Sequence, residues 1–203
     1  MRVTGGRLGG RRLVAAPPGV RPTADRVREA LFARLPDLAG VRVLDLYAGT
    51  GALGIEALSR GAQLAVFVER SHASLIALRR NLSALGLDDR ARVMRGDVRG
   101  ALRRLAREEL RFELVLADPP YADRDVALPL GLLVSGGLLA PDATVVVERS
   151  RRHPLPEVEG LVSHESRRYG DTALEWLGAE GLGAEGLGAG DAAPAERRGE
   201  PDA

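Results

Sequence analysis

Asp118-Pro119-Pro120-Tyr121 places an acid, a stiff turn and an aromatic ring within four consecutive residues. The apolar run 112–117 before it reads as a buried strand. Two prolines stop that strand and prevent a helix from starting at once. The acid therefore falls at a strand's carboxyl end, where open α/β sheets bind ligands. A carboxylate and a proline carbonyl can each accept a hydrogen bond from an amino group, and the Tyr121 ring can stack on a flat base. Only seven aromatic side chains occur in the chain (Trp 1, Tyr 3, Phe 3), so a tyrosine in this turn is not filler. Such a group holds an exocyclic amine and calls for an electrophile beside it.

The electrophile's seat is expected upstream. Residues 41–47 form a second apolar strand that ends in Asp45 and Tyr47 and runs into Ala48-Gly49-Thr50-Gly51-Ala52-Leu53-Gly54, with a helix expected over 52–60. Gly49, Gly51 and Gly54 fit the G-x-G-x-x-G pattern, and Glu69 follows Gly49 by 20 residues, so a dinucleotide site fits the spacing as well. Two features favour S-adenosylmethionine (SAM). Asp45 precedes the glycines, where a carboxylate suits a methionine ammonium. A pyrophosphate prefers positive or neutral surroundings. Glu69, at the next strand's tip, can accept both ribose hydroxyls. The glycine motif alone is ambiguous; joined to Asp-Pro-Pro-Tyr it points to methylation of an amine.

The elements that would hold these residues alternate. Strands are expected at 64–68, 91–94, 112–117 and 144–147, and Ser71 is expected to cap a helix whose Leu75, Leu78, Leu82 and Leu85 form one stripe. Asp97 follows the third strand, and 98–105 reads as another helix. Repeated strand–helix units imply an α/β fold with a Rossmann-like, mostly parallel sheet and right-handed crossovers. Residues 161–177 are expected to close it as an antiparallel pair. Asn81 fits no motif and reads as a surface or cap residue. His72, His153 and His164 show no metal or triad spacing, and no metal site is expected.

Charge is uneven although the net is +1. Residues 1–35 hold eight Arg against two acids, and residues 178–203 hold six acids against two Arg. There is no Lys, which fits a codon bias as well as a function; Arg nevertheless serves phosphate well through its planar fork. Residues 2–4 and 11–14 can pair as a hairpin around Gly5, Gly6, Gly9 and Gly10, and a helix with Val27, Ala30, Leu31 and Leu35 follows Thr23. The tail 178–203 repeats Leu-Gly-Ala-Glu-Gly and continues in Gly, Ala, Pro and acids, a composition expected to stay disordered.

Three segments together resemble the RsmD family, bacterial methyltransferases acting on guanine N2 in 16S ribosomal RNA: 45–54 (DLYAGTGALG), 118–121 (DPPY) and 21–32 (RPTADRVREALF), with the opening GGRLGGRRL at 5–13. The first two motifs are shared by many amino-methylating enzymes; the last two are more specific. The resemblance covers residues 1–177. It implies a seven-stranded class I SAM-dependent methyltransferase domain over 37–177 and a basic extension over 1–36. RNA contacts are then expected from Arg7, Arg11, Arg12, Arg21 and Arg26, and an adenine site from Asp97 and the Val98 amide. Asp118, Pro119, Pro120 and Tyr121 become the catalytic turn, with direct in-line transfer of the methyl. The implied partner is 16S rRNA in an assembling small subunit.

Composition narrows the alternatives. Cysteine is absent, so disulfides and thiolate chemistry are excluded. No apolar run approaches about 18 residues, so a membrane span is not expected, and the cytoplasm and a monomer are the simplest expectations. The alternatives are adenine N6 methylation of DNA, for which the chain has little length to read sequence, and protein glutamine methylation, which more usually has Asn at position 118. A non-catalytic RNA-binding module would bind RNA without SAM, and a dehydrogenase would bind NAD.

Overall fold

A computed structural model describes residues 1–14, 25–120 and 126–179. Its elements are α1 (Asp25–Phe32), β1 (Arg42–Leu46), α2 (Ala52–Ser59), β2 (Leu64–Glu69), α3 (His72–Leu85), β3 (Ala91–Arg95), α4 (Val98–Ala106), β4 (Phe112–Ala117), α5 (Ala127–Ser135), β5 (Leu139–Ser150), β6 (Leu161–Tyr169) and β7 (Thr172–Ala179). The strands form a seven-stranded sheet in the order β3-β2-β1-β4-β5-β7-β6. The first five run parallel, and β7 is antiparallel to both β5 and β6. This is the expected class I methyltransferase architecture.

Alternation along each strand sends successive side chains to opposite faces, so the sheet has two cores. On one face Val43, Leu114 and Leu116 meet Leu31 and Phe32 of α1, Ile55 and Leu58 of α2, and Leu75, Leu78 and Leu82 of α3. On the other, Leu44, Val66, Val115 and Val145 meet Val98, Leu102 and Leu105 of α4 and Leu130 and Leu133 of α5. Each fully buried aliphatic side chain stabilises by roughly 1.5–3 kcal/mol, which fixes the strands and thereby the residues at their tips.

Local signals behaved as their chemistry directs. The Ser71 side chain accepts from the Ser74 N–H at 3.3 Å, Asp97 accepts from the Gly100 N–H at 2.9 Å, and Gly86 ends α3 in the left-handed region. The hairpin at the start consists of an Arg2↔Arg12 bridge with Val3 donating to the Arg11 carbonyl, around a 3₁₀ turn at Gly6–Leu8. Three features differ from expectation. α5 was not anticipated, because its Ala-Leu-Pro-Leu-Gly-Leu-Leu-Val-Ser sequence has no apolar period; Pro129 falls in its first turn, where a missing N–H costs little. β5 runs well beyond 144–147 at both ends. β7 continues through Gly178 and Ala179, which pair with Val162 and Leu161, so the first two residues assigned to the tail belong to the sheet. The rest of the tail lies outside the described residues. No described helix is long and apolar enough to cross a membrane.

Candidate active site at the carboxyl edge of the sheet

The strand order sets the site. β3, β2, β1 and β4 are consecutive neighbours, and each has an acid at or just beyond its carboxyl end: Asp97, Glu69, Asp45 and Asp118. With neighbouring strands about 4.8 Å apart, four carboxylates line one edge over about 15 Å.

Asp45 lies inside β1, where it pairs in register with Phe67 and Leu116, and is only 1% exposed. Its Oδ2 accepts from the Gly54 N–H at 2.9 Å, while Oδ1 is buried with no hydrogen-bond partner. Burial pushes the Asp45 carboxyl up to about 8; the Gly54 N–H opposes this, and the neighbouring Asp118 and Glu69 charges add to it. An unsatisfied buried oxygen among like charges is costly unless a cation or donor reaches it.

Glu69 has a role the sequence reading did not assign. Its Oε2 accepts from the Gly49 N–H at 2.8 Å and its Oε1 from the Ser71 N–H at 2.6 Å. The carboxylate thus fastens the glycine loop to β2, and each oxygen keeps lone-pair capacity for a further donor. Asp97 caps α4, and its hydrogen bond from Gly100 holds its carboxyl below the usual range. Val98 opens that helix, in the first turn, where an N–H has no partner within its own helix.

The loop between β1 and α2 is wound tightly. Tyr47, Gly49 and Gly51 have φ of 62°, 55° and 84°. A left-handed tyrosine costs about 1–3 kcal/mol and is found chiefly at functional sites; nothing in the sequence announces it. Gly51 needs its glycine twice over, since a Cβ there would also come within 2.3 Å of Leu78 Cδ1. A Cβ on Gly54 would lie 2.3 Å from the Phe67 ring and 3.1 Å from Asp45 Oδ2, so this glycine lets α2 close onto β2.

Asn81 is not a surface or cap residue. It is 2% exposed; its Oδ1 accepts from the Val14 N–H at 2.7 Å and its Nδ2 donates to the Thr50 carbonyl at 3.0 Å. One α3 side chain therefore joins the amino-terminal arm to the glycine loop. The signal was available: Asn81 falls on the Leu75, Leu78, Leu82, Leu85 stripe, and a polar residue on a buried stripe must find partners. Asn81→Ala is expected to lower stability by about 1–3 kcal/mol and to raise the KM for the cofactor more than it lowers kcat. Thermal unfolding and steady-state kinetics check both; an unchanged KM with lowered stability would leave Asn81 a packing residue only.

The arm lies along α2. Glu56 is fully buried and accepts from the Thr4 N–H at 2.7 Å and the Thr4 hydroxyl at 2.8 Å, with Arg60 at 2.9 Å and Arg28 at 3.5 Å. Ser59 Oγ accepts from the Leu8 N–H at 2.9 Å and donates to the Gly5 carbonyl at 2.6 Å. α2 starts at the glycine loop and returns toward the opposite edge, so its last residue, Ser59, holds Arg7 away from the acids. Arg11 and Arg12 are exposed on the returning side of the hairpin, and Arg26 is exposed on α1. Asp118 is half-buried with its N–H toward the Leu46 carbonyl at 3.5 Å, Pro119 is buried and Pro120 exposed. Tyr121 and Arg21 lie outside the described residues. Among the described residues no cluster of His, Cys, Asp and Glu is arranged to hold a metal.

Against known proteins, residues 1–178 match the family described as "Conserved hypothetical protein 95". Over 177 residues the chain is 40% identical to YlbH of Bacillus subtilis, named provisionally as an rRNA methyltransferase, across 86% of this chain and 96% of that protein. Ribosomal RNA small subunit methyltransferase D of Escherichia coli K12 is 39% identical over 160 residues, across 78% of this chain and 79% of that protein. A solved Escherichia coli structure, described provisionally as methyltransferase yhhF, superposes with a TM-score of 0.77 at 36% identity, covering 89% of this chain and 98% of that one.

Proposed function

The chain belongs to the RsmD family of ribosomal RNA small subunit methyltransferases, and we propose that it methylates the exocyclic N2 of a guanine in 16S rRNA, with SAM as donor. The observation that carries this reading is the buried, unpartnered Oδ1 of Asp45 in an edge of carboxylates. An acidic edge fits the ammonium and sulfonium of SAM, whereas a pyrophosphate would meet Glu69 and Asp118 as like charges. In this reading Asp45 holds the methionine ammonium, Tyr47, Gly49 and Gly51 shape the wall beside it, Glu69 accepts the ribose hydroxyls, and Asp97 with the Val98 N–H holds the adenine.

Bound SAM supplies an electrophilic methyl group. The protein's own part is to prepare the amine. Guanine N2 is a poor nucleophile because its lone pair is delocalised into the ring. With one N–H donated to the Asp118 carboxylate and the other to the Pro119 carbonyl, the nitrogen is drawn toward a pyramidal geometry with its lone pair available. Tyr121 stacks on the base and fixes its plane. No covalent enzyme intermediate is required; orientation and electrostatics lower the barrier. Leaving a duplex stack costs a few kcal/mol, so a guanine in an RNA loop is the more accessible target. Asp118 need not keep the proton, since the methylated amine can lose it to water.

Incubating the protein with methyl-labelled SAM and unmodified small ribosomal subunits should label 16S rRNA, with large-subunit RNA and duplex DNA as controls. Label appearing in DNA would transfer the assignment to adenine N6 chemistry. RNA binding without SAM binding would make the chain a non-catalytic module.

A further inference from the structure

A second basic surface stands on the same edge, on the flank away from the amino-terminal arm. β5 is parallel to β4, and Ala117 pairs with Val147, so Arg149 lies two residues past the level at which β4 gives way to Asp118. The antiparallel pairings set Arg149 opposite Ala173, and Ala173 opposite Arg168. The two arginines therefore share one face, two strand spacings or about 10 Å apart, with only a methyl group between them.

The turn after β5 is built rather than loose. Arg149 binds Glu175 with Nε at 2.9 Å and Nη2 at 2.7 Å, and its Nη1 donates to the carbonyls of Ser150 at 3.2 Å and His153 at 3.3 Å. Glu175 is held in turn by the hydroxyls of Ser163 at 2.8 Å and Ser166 at 3.1 Å. The Arg151 N–H donates to the Asp171 carbonyl at 2.8 Å, which joins this turn to the β6–β7 turn. Arg149 thus spends its charge inside the protein to fix a platform. The platform exposes Arg151, Arg152 and His153 beside Arg168. Arg152 and Arg168 have no acidic partner among the described residues, and Arg151 meets Asp171 only at 3.9 Å with both side chains exposed, a pairing worth little.

We propose that this rim, Arg151, Arg152 and Arg168 on the platform fixed by Arg149 and Glu175, is a second contact for the phosphate backbone of the RNA substrate. With the arm on the other flank, the strand bearing the target base would be held on both sides of Asp118. Exposed guanidinium forks without acidic partners, on a preorganised turn at the ligand edge, suit phosphate oxygens. The inference rests on the reading of the substrate as RNA.

The test is the double variant Arg152→Ala/Arg168→Ala in the full chain, titrated with a 16S rRNA transcript over a range of salt. Arg107→Ala/Arg111→Ala, which removes the same charge from exposed positions at the opposite edge, is the control. The rim variant is expected to bind about tenfold more weakly, with its salt slope reduced by about 1.5, the KM for small subunits raised and kcat within about twofold. SAM affinity and melting temperature stay at the parent's values, because neither side chain has an acidic partner among the described residues. An unchanged affinity and slope, or an equal loss in the control pair, overturns the rim. If the parent itself neither binds nor methylates the RNA, the underlying reading fails and the rim with it.

Discussion

Asp118→Ala is expected to lower turnover by about a thousandfold or more, the scale of losing a charge-directed hydrogen-bond partner in the transition state, while SAM affinity stays within a few-fold. The geometry explains the split. Asp118 is half-buried beyond β4, and toward Asp45 it acts as a like charge that helps push that carboxyl up. Its removal takes one carboxylate from the acidic edge but also eases ionisation of Asp45, and for SAM affinity these two effects oppose each other. Asp118→Asn keeps an acceptor but loses the charge, and should fall between the two. Single-turnover kinetics beside equilibrium dialysis separate the effects. A collapse of SAM affinity in Asp118→Ala would move Asp118 from holding the amine to holding the cofactor.

Asp45 carries the second large effect, and it depends on pH. With its carboxyl pushed up to about 8, the free protein holds this group protonated at neutral pH, yet an ammonium requires the carboxylate. SAM affinity should therefore rise by up to about tenfold per pH unit from 6 toward 8, and fall again at higher pH as the ammonium itself loses its proton. Near pH 7 binding should release close to one proton, which calorimetry in buffers of different ionisation heat detects. Stability runs in the opposite direction. Between the unfolded value near 4 and the folded value near 8, the folded state holds a proton that the unfolded state has lost, so the SAM-free protein weakens as pH rises through that window. Asp45→Asn should abolish SAM binding and still unfold at a higher temperature than the parent at pH 9. SAM affinity without pH dependence between 6 and 8 would contradict this account of Asp45.

The sequence revealed the parts of the site that depend on residue type at strand ends. Asp45, Glu69, Asp97 and Asp118 each follow a recognisable apolar run, and the parallel topology then makes them neighbours. What it did not reveal depends on how the backbone and side chains close in three dimensions. The left-handed Tyr47 and the use of Glu69 to fasten Gly49 have no signature in composition or spacing. Asn81 had one, a polar residue on an apolar stripe, but its partners Val14 and Thr50 lie 67 and 31 residues away in the chain. α5 was hidden because a helix apolar all round has no period. The basic opening was legible as charge, yet only the Ser59 contacts show that Arg7 lies at the end of α2 remote from the acids.

The most direct measurement is the identity of the methylated nucleoside. After transfer from labelled SAM to unmodified small subunits, 16S rRNA is digested to nucleosides and the label is assigned, with Asp118→Ala run in parallel. N2-methylguanosine from the parent and none from the variant is the predicted result. Label in another nucleoside, or label that persists in the variant, would contradict the account of an amine held by Asp118 and Pro119.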